Sequence, residues 1–180
     1  FASQELTSQG YRVALVDKGR PLDARGCPLK EGRSSRCLHC RPCGVICGWG
    51  GAGAFSDGKL TLTPEFGGNL ERYVGRQRLL SLLEEVDALW LKYGADAPVF
   101  EPEASFAGDV VRRGRVAGLQ IIPARIRHIG TDKSKVVLGH LYEELATRCD
   151  IFLGTEVASV IVEGGRARGI RLASGKELRS

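Results

Sequence analysis

Four closely spaced cysteines form the most distinctive group of reactive side chains in this sequence. They follow the pattern CxxCxxCxxxC, at Cys37, Cys40, Cys43 and Cys47. In bacterial ferredoxins a similar spacing lets several thiolates converge on one iron–sulfur cluster, although the fourth cysteine there serves another cluster. A group this dense, in a chain without a secretion signal, argues against a structural disulfide framework. An iron–sulfur or zinc site is therefore one prediction.

The residues between the cysteines keep two other interpretations open. His39 and Arg41 lie within the group, and positive charge favours the thiolate form of nearby cysteines. The cysteines would then be redox-active or nucleophilic beside a cofactor. Alternatively, they stay reduced and pack a tight loop. Cys27 is a spare candidate ligand, whereas Cys149 falls near the end of a predicted helix and is expected in the core.

A glycine-rich stretch, GWGGAGAFSDGK, follows the cysteines directly. Backbone amides can approach phosphate oxygens where no Cβ intervenes, and successive N–H groups form an anion-binding nest. Ser56 and Asp57 are placed to cap the following turn or to bind a ribityl hydroxyl. Lys59 lacks the spacing of a Walker loop, and no clear helix follows to complete a GxGxxG fingerprint. A cofactor cradle and a purely structural glycine loop both remain open.

Few other residues are candidates for acid–base chemistry. Arg125, Arg127 and His128 form a small cationic group just before a predicted helix, where an anion would be favoured by the helix dipole. Ordinary surface charge is the alternative. By location and type, His128, Lys59 and Asp57 are the candidate catalytic groups, and no role can be assigned to any of them.

The element that would position a cofactor is the short apolar run Tyr11–Val16. It follows a helix that ends at Gly10, and it leads into Asp17-Lys18-Gly19. Helix, glycine, buried strand and acid form the second half of a βαβ unit. In dinucleotide-binding folds, an acid after the second strand accepts hydrogen bonds from the adenosine ribose. The alternative is that Asp17 serves only the turn.

Hydrophobic periodicity predicts the remaining elements. Apolar residues at three- and four-residue steps indicate helices over residues 70–93 and 134–148. Runs rich in β-branched residues indicate strands over residues 116–122, 151–153, 157–162 and 167–172, the last two joined by a glycine turn in a β-meander.

Composition indicates a globular protein and limits its partners. Of 180 residues, 43% are hydrophobic and 26% are charged. The net charge of +5 is spread along the chain among 21 acids, so no nucleic-acid partner is expected. No apolar run approaches the ~20 residues of a membrane span, and no signal peptide is evident, so a cytoplasmic location is expected. The chain contains no Met and begins within a helical pattern, so we expect a fragment.

Taken together, these segments resemble a family of FAD-dependent dehydrogenases, also known as NAD(FAD)-utilising dehydrogenases, of the glutathione-reductase-like superfamily. The resemblance covers essentially the whole chain. Its most specific part is CLHCRPCGVICGWGGAGAFSDGKL, supported by Asp17-Lys18-Gly19, RHIGTD and the closing meander. The GxGxxG loop of such proteins is absent from this sequence.

The resemblance implies an α/β fold. A Rossmann-like FAD/NAD(P)-binding domain, incomplete at both ends, would consist of residues 1–60 and 130–180, with an inserted α+β substrate domain over residues 61–129 and a β-meander. Asp17, with Lys18 and Gly19, would hold the adenosine ribose, and Val157 would meet the adenine through its backbone. The residues that would run beside the pyrophosphate and isoalloxazine are Gly50, Gly51, Ala52, Gly53, Ser56, Asp57 and Gly58.

The resulting prediction is part of an FAD-dependent oxidoreductase with an unidentified substrate. FAD is the expected cofactor, NAD(P)H is a candidate hydride donor, and an iron–sulfur cluster or zinc would be added by the cysteines. One rival is a metal or iron–sulfur binding module without flavin chemistry. A second is a basic RNA-binding protein with a zinc knuckle. The strand-acid element and the meander favour flavin, because neither rival needs them.

Overall fold

A computed structural model describes all of residues 1–180. The helices, in chain order, are α1 (Ala2–Ser8), α2 (Glu71–Val74), α3 (Arg76–Lys92), α4 (Ala104–Val116) and α5 (Thr131–Ala146). The strands are β1 (Ala14–Asp17), β2 (Lys59–Thr61), β3 (Val99–Phe100), β4 (Ile126–His128), β5 (Asp150–Leu153), β6 (Val157–Glu163), β7 (Arg166–Leu172) and β8 (Glu177–Arg179). Two 3₁₀ turns span Leu22–Ala24 and Gly51–Phe55.

The strands form three small sheets. β1 and β5 pair in parallel, from Ala14 opposite Asp150 to Asp17 opposite Leu153. β2, β4 and β3 form an antiparallel sheet in that order. β6, β7 and β8 form an antiparallel meander, as predicted, with two irregularities in the β6–β7 register. The chain is thus a mixed α/β structure, whereas a Rossmann domain with an insertion remains a prediction.

The chain divides into two compact units. Unit one contains Phe1–Phe55 and Leu138–Ser180, and unit two contains Ser56–Val137, so the boundary falls within α5. Unit one is therefore built from two separate stretches of chain. The predicted segments 1–60, 61–129 and 130–180 have different limits, and their assignment to cofactor and substrate domains stays a prediction.

Trp49 anchors the core of unit one. Its side chain is 7% exposed, and its Nε1–H donates to the Leu138 carbonyl oxygen at 2.7 Å. The indole also packs edge-on against Tyr142, with ring centroids 5.0 Å apart. A buried indole needs a partner for its single donor, and here the C-terminal part of α5 provides both that partner and an aromatic contact.

Unit two is organised around α3 and the segment that follows it. Leu79, Tyr93 and Ala95 are buried, as is Leu62 after β2. The predicted helix over residues 70–93 is present but is divided at Gly75, whose φ of +78° separates α2 from α3. Glycine adopts this conformation without the steric cost that an L side chain would meet.

The strand predicted over residues 116–122 is wrong. Residues 104–116 form helix α4, and no strand follows before β4. Gly118, at φ +74°, ends the helix, and the Leu119 amide donates to the Gly114 carbonyl at 2.8 Å. Such left-handed glycine termini are a common way to close a helix. The apolar residues after Gly118 therefore follow a helix terminus and lie outside any sheet.

None of the helices combines the length and apolar character needed to cross a lipid bilayer.

Candidate functional site in unit one

Strand β1 places Asp17 at the carboxyl end of the parallel pair that β1 forms with β5. The Asp17 Oδ1 atom accepts hydrogen bonds from the backbone amides of Gly19, at 2.6 Å, and Gly48, at 2.8 Å. No intramolecular hydrogen bond reaches Oδ2. One carboxylate oxygen therefore fixes the strand end to the glycine-rich segment, and the other stays available as an acceptor.

Close backbone packing explains two of the glycines beside Asp17. A Cβ on Gly19 would lie 2.1 Å from the Gly48 nitrogen and 2.2 Å from the Cys47 carbonyl carbon. Gly48 has φ +108°, and a Cβ there would lie 2.4 Å from the Arg20 carbonyl oxygen. Neither position has room for a side chain. The approach of the two segments is part of how the site is built.

The buried guanidinium of Arg25 holds the segment that runs from the cysteines into the glycines. Its Nε donates to the Gly44 carbonyl at 3.0 Å, and its Nη2 donates to the Val45 and Gly51 carbonyls, each at 2.7 Å. Its Nη1 donates to the Trp49 carbonyl. One side chain thus satisfies four carbonyls of residues 44–51, which belong to no helix or strand until the 3₁₀ turn begins at Gly51.

Burial and neighbouring charge act on Arg25 in opposite directions. Burial lowers the pKa of its guanidinium, while the charges of Asp17, Cys47 and Cys43 raise that pKa. Its guanidinium carbon also lies 5.0 Å from the ring centroid of Phe55, within cation–π range. Sequence reasoning missed Arg25, because nothing distinguishes one arginine in a polar loop from the others.

The glycines of the turn at residues 48–53 have different reasons for being glycine. Gly50 has φ +79°, and a Cβ there would lie 2.5 Å from Leu138 Cδ1. Gly51 has φ +53°, and its nearest neighbour would be the Ile46 carbonyl oxygen at 3.8 Å. At Gly53 φ lies outside the left-handed range, and a Cβ would meet nothing within 4 Å. Gly53 is therefore the position where internal packing leaves space for a bound group.

These elements surround a cavity of about 270 Å³, here called the Asp17 cavity. Its walls are apolar side chains and glycine backbone, with one hydroxyl (Ser3) and one carboxylate (Asp17). The lining residues are Phe1, Ser3, Leu15, Asp17, Gly48, Trp49, Gly50, Gly51, Leu138, Leu141, Leu145 and Leu153. Ligand pockets for small molecules are usually ~300–1,000 Å³, so this cavity suits part of a dinucleotide rather than all of it.

An adenosine ribose fits the chemistry of this cavity. Asp17 Oδ2 can accept hydrogen bonds from hydroxyl groups, and Leu15 and Leu153 offer apolar contact. In dinucleotide-binding folds, a carboxylate near the ribose accepts such hydrogen bonds.

The predicted cofactor residues fall in both units. The Asp17 cavity brings together Asp17, Gly50 and Gly51. Gly19 is buried against Gly48, whereas Lys18, Ala52, Gly53 and Val157 are exposed outside the cavity lining. Ser56, Asp57 and Gly58 belong to unit two. Gly58 has φ +67° and packs against Ser134, whose Oγ would lie 2.4 Å from a Cβ at Gly58.

In unit two, strands β2 and β4 bring together the three candidate acid–base residues. Lys59 and His128 are register partners. The Asp57 Oδ2 atom lies 2.6 Å from Lys59 Nζ and 3.9 Å from His128 Nε2. The hydrogen bond from Lys59 is the main cause that holds the pKa of Asp57 below its ordinary value. Asp57 is thus an anion that can orient a cation, and a poor proton donor.

The cationic group at residues 125–128 is divided among different partners. Arg127 is 7% exposed and forms a two-point ion pair with Asp87, at 2.6 and 2.8 Å, and it also donates to the Ala97 carbonyl. Arg125 lies 3.2 Å from Glu101. Arg127 is therefore a structural residue of unit two, and the three side chains do not form one anion site.

The cysteine segment does not form a metal-binding group. Cys37 and Cys40 are exposed, and Cys43 and Cys47 are half-buried. No set of three or more His, Cys, Asp or Glu side chains is arranged to hold a metal ion. The Cys43 carbonyl instead accepts hydrogen bonds from the Ile46 and Cys47 amides, and the nearby Ile46 and Val45 amides are the main causes that lower the pKa of the Cys43 thiol. This arrangement does not support the predicted iron–sulfur or zinc site.

Three of these cysteines line a separate cavity of about 490 Å³, here called the cysteine cavity. It shares no lining residue with the Asp17 cavity. Its lining includes Cys40, Cys43 and Cys47, and its charged side chains are Arg20, Asp23, Arg25, Glu31, Arg33 and Arg41.

Comparisons with known proteins give structural similarity at low identity. No protein-family model matches the chain, and no curated protein matches it. Among solved structures, glycine oxidase from Bacillus cereus aligns with a TM-score of 0.48 and 13% identity, over 98% of this chain and 50% of that one. L-Amino acid deaminase from Proteus myxofaciens, in complex with anthranilate, aligns with a TM-score of 0.42 and 11% identity, over 98% of this chain and 40% of that one. At this level of similarity neither structure assigns an activity to the chain.

Proposed function

We propose that this chain is part of an FAD-dependent oxidoreductase and that the Asp17 cavity binds the adenosine portion of the cofactor. The observation that carries this proposal is the Asp17 carboxylate. One of its oxygens is fixed by the Gly19 and Gly48 amides, and the other is available at a cavity of glycine backbone and apolar side chains.

The chain's own residues would then act by binding and orientation. Asp17 would accept hydrogen bonds from the ribose hydroxyls, and the positive-φ backbone at Gly50 and Gly51 would allow close approach of the cofactor's polar linker. When bound, a flavin supplies hydride or electron transfer that no protein side chain provides. Val157, at the start of β6, is proposed as a further contact within unit one.

The resemblance of the cysteine–glycine segment to FAD-dependent dehydrogenases supports the same function. In this proposal the flavin receives hydride either from a reduced nicotinamide or from the substrate itself. The chain spans half the length of the glycine oxidase structure that it aligns with, so the activity of the whole protein is part of the proposal.

The decisive experiment compares FAD with FMN, which lacks the adenosine portion, by quenching of flavin fluorescence on titration with the full chain. Asp17→Asn keeps an oxygen for the Gly19 and Gly48 amides but removes the charge. We expect it to weaken FAD binding by about 10- to 100-fold, the value of a charge-assisted hydrogen bond, and to leave FMN binding unchanged.

Asp23→Asn is the matched control, because Asp23 is an exposed acid outside the Asp17 cavity. Equal FAD affinity in the Asp17 and Asp23 variants would remove Asp17 from the site. Failure of the unaltered chain to bind either FAD or ADP saturably would overturn the proposal.

A further inference from the structure

The cysteine cavity combines nucleophilic side chains with an excess of positive charge. Cys40, Cys43 and Cys47 all line it, and none of the six cysteines of the chain is in a disulfide. Three reduced thiols at one cavity of about 490 Å³ have room to meet a small molecule directly. The flavin proposal does not use these side chains.

The charges of the cavity favour an anionic ligand. Arg33 is paired with Glu31, and Arg25 is engaged by backbone carbonyls. The side chains of Arg20 and Arg41 have neither an ion-pair partner nor a hydrogen-bond partner. Asp23 supplies the opposing charge, and one of its oxygens accepts a bond from the Ala24 amide. The lining therefore retains a positive excess, which raises the local concentration of anions.

Cys43 is the thiol best prepared to carry negative charge. The neighbouring Ile46 and Val45 amides lower the pKa of its thiol, and the Arg25 guanidinium, which lines the same cavity, lowers it further. These groups are already in place, since Arg25 is fixed by the Gly44 and Val45 carbonyls. The thiolate, rather than the thiol, is the nucleophile in thiol–disulfide exchange.

Neighbouring thiols identify the type of anion. A simple anion such as phosphate would use the arginines but not the sulfurs. A disulfide uses both, because a mixed disulfide formed at one cysteine can be displaced by a second thiol at the same cavity. Cys40 lies three residues before Cys43 and Cys47 four residues after it, and the Cys47 amide donates to the Cys43 carbonyl at 2.9 Å.

We propose that the cysteine cavity is a thiol–disulfide exchange site for low-molecular-weight disulfides that carry carboxylates, with Cys43 as the attacking residue. The Cys43 sulfur forms a bond to one sulfur of the substrate, the substrate S–S bond breaks, and the second half leaves as a thiolate. Attack by the Cys40 or Cys47 thiolate on the Cys43 sulfur of this mixed disulfide would form a protein disulfide, break the mixed S–S bond and release the first half as a thiolate. The substrate disulfide then gains two electrons, and the protein dithiol loses them.

The test uses two aromatic disulfides that differ in charge, the dianionic dithionitrobenzoate and the neutral dithiodipyridine. Stopped-flow absorbance follows the released thiol, and peptide mass mapping identifies the cysteine that reacts. We expect dithionitrobenzoate to react first at Cys43. For each cysteine, the rate with dithionitrobenzoate is divided by the rate with dithiodipyridine. This ratio should be about tenfold higher at Cys43 than at Cys37, which lies outside the cavity lining. High salt should remove the difference between the two cysteines.

Matched variants separate chemistry from charge. Cys43→Ser should abolish the fast phase, whereas Cys37→Ser should leave it unchanged. The double variant Arg20→Gln and Arg41→Gln should slow only the dianionic reagent, by about tenfold, with its thermal unfolding midpoint as the check on folding.

Three results would overturn the proposal: first reaction at Cys37, equal effects of the arginine changes on both reagents, or a purified protein whose Cys43 is blocked by stoichiometric zinc or iron. None of these outcomes depends on flavin, so the exchange site and the flavin proposal fail separately.

Discussion

Residues 44–51 contribute to two cavities of opposite character. Gly44 and Cys47 line the cysteine cavity, which is cationic and rich in thiols. Gly48 to Gly51 line the Asp17 cavity, which is mainly apolar and contains a single charged side chain, the Asp17 carboxylate. Both stretches are held by the same Arg25 guanidinium, through the Gly44, Val45, Trp49 and Gly51 carbonyls. One buried cation therefore supports two sites that suit different ligands.

The comparison also separates two ways of building a site. In the Asp17 cavity, backbone conformation and close packing determine the residue types, as at Gly48 and Gly50. In the cysteine cavity the side chains carry the chemistry, and the guanidiniums of Arg20 and Arg41 have no internal partner. Substitutions of the glycines at the first cavity should therefore act mainly on folding, and those of the cysteines and of Arg20 and Arg41 at the second should act mainly on reactivity.

The largest effect is expected for Arg25→Met. It leaves four carbonyls without their donor, and an unpaired buried polar group typically costs ~1–3 kcal/mol. Since some carbonyls will regain water, we expect a total loss of roughly 3 kcal/mol in the free energy of unfolding. Chemical denaturation monitored by the fluorescence of Trp49 and Trp90 measures this loss.

Arg36→Met is the control for Arg25→Met, because Arg36 is exposed and its guanidinium has no partner. If Arg25 supports both cavities, Arg25→Met should weaken FAD binding and disulfide exchange together. Loss of one activity with full retention of the other would contradict it.

Gly48→Ala and Gly53→Ala should differ in stability. At Gly48 the new methyl group would collide with the Arg20 carbonyl at an unfavourable positive φ, so we expect a loss of about 2–3 kcal/mol. At Gly53 the methyl group meets nothing within 4 Å, so stability should change by less than about 0.5 kcal/mol.

Thermal and urea unfolding of the two glycine variants give these values directly. FAD titration adds a second contrast, because Gly53→Ala should weaken binding only if the cofactor approaches the backbone there. Equal destabilisation at both positions would show that the close approach at Gly48 is not required.

The smallest effect is a difference in the pH dependence of alkylation. Amide hydrogen bonds lower the pKa of Cys43, so its thiolate should persist to lower pH than that of an ordinary cysteine. Burial, assisted by the charge of Asp150, raises the pKa of Cys149, so its thiolate appears only at higher pH.

Labelling with iodoacetamide over a pH series, read by peptide mass mapping, should therefore show Cys43 reacting at lower pH than Cys149. Exposed Cys37 serves as the reference. Reaction of Cys149 at the same pH as Cys43, or at a lower pH, would contradict the opposite directions of their pKa shifts.

Sequence patterns predicted the elements whose stability comes from local periodicity. The strand ending at Asp17, the long helix closed near Gly94 and the β-meander are present, because alternation, helical spacing and glycine turns are properties of neighbouring residues. The strand predicted over residues 116–122 is wrong, because helix α4 runs to Val116 and closes at Gly118, so the apolar residues that follow lie beyond a helix terminus.

The contacts of the sites could not be predicted in the same way. Arg25 bonds carbonyls 19 to 26 residues further along the chain, and no local pattern marks such a partner. Arg127 was grouped with Arg125 and His128 by position, yet its buried partner, Asp87, lies 40 residues away. Asp17 was identified because the strand before it is recognisable, whereas its bond to the Gly48 amide depends on tertiary structure.

The Arg25 network has a further consequence for local unfolding. Segment 25–50 contains no helix or strand, so the ladder of hydrogen bonds that protects regular elements is missing there. Loss of the guanidinium contacts would free the Gly44, Val45, Trp49 and Gly51 carbonyls at once. Amide protons of this segment should therefore exchange with solvent as one cooperative unit, below the free energy of global unfolding. The two cavities would open and close together, on a timescale set by one side chain.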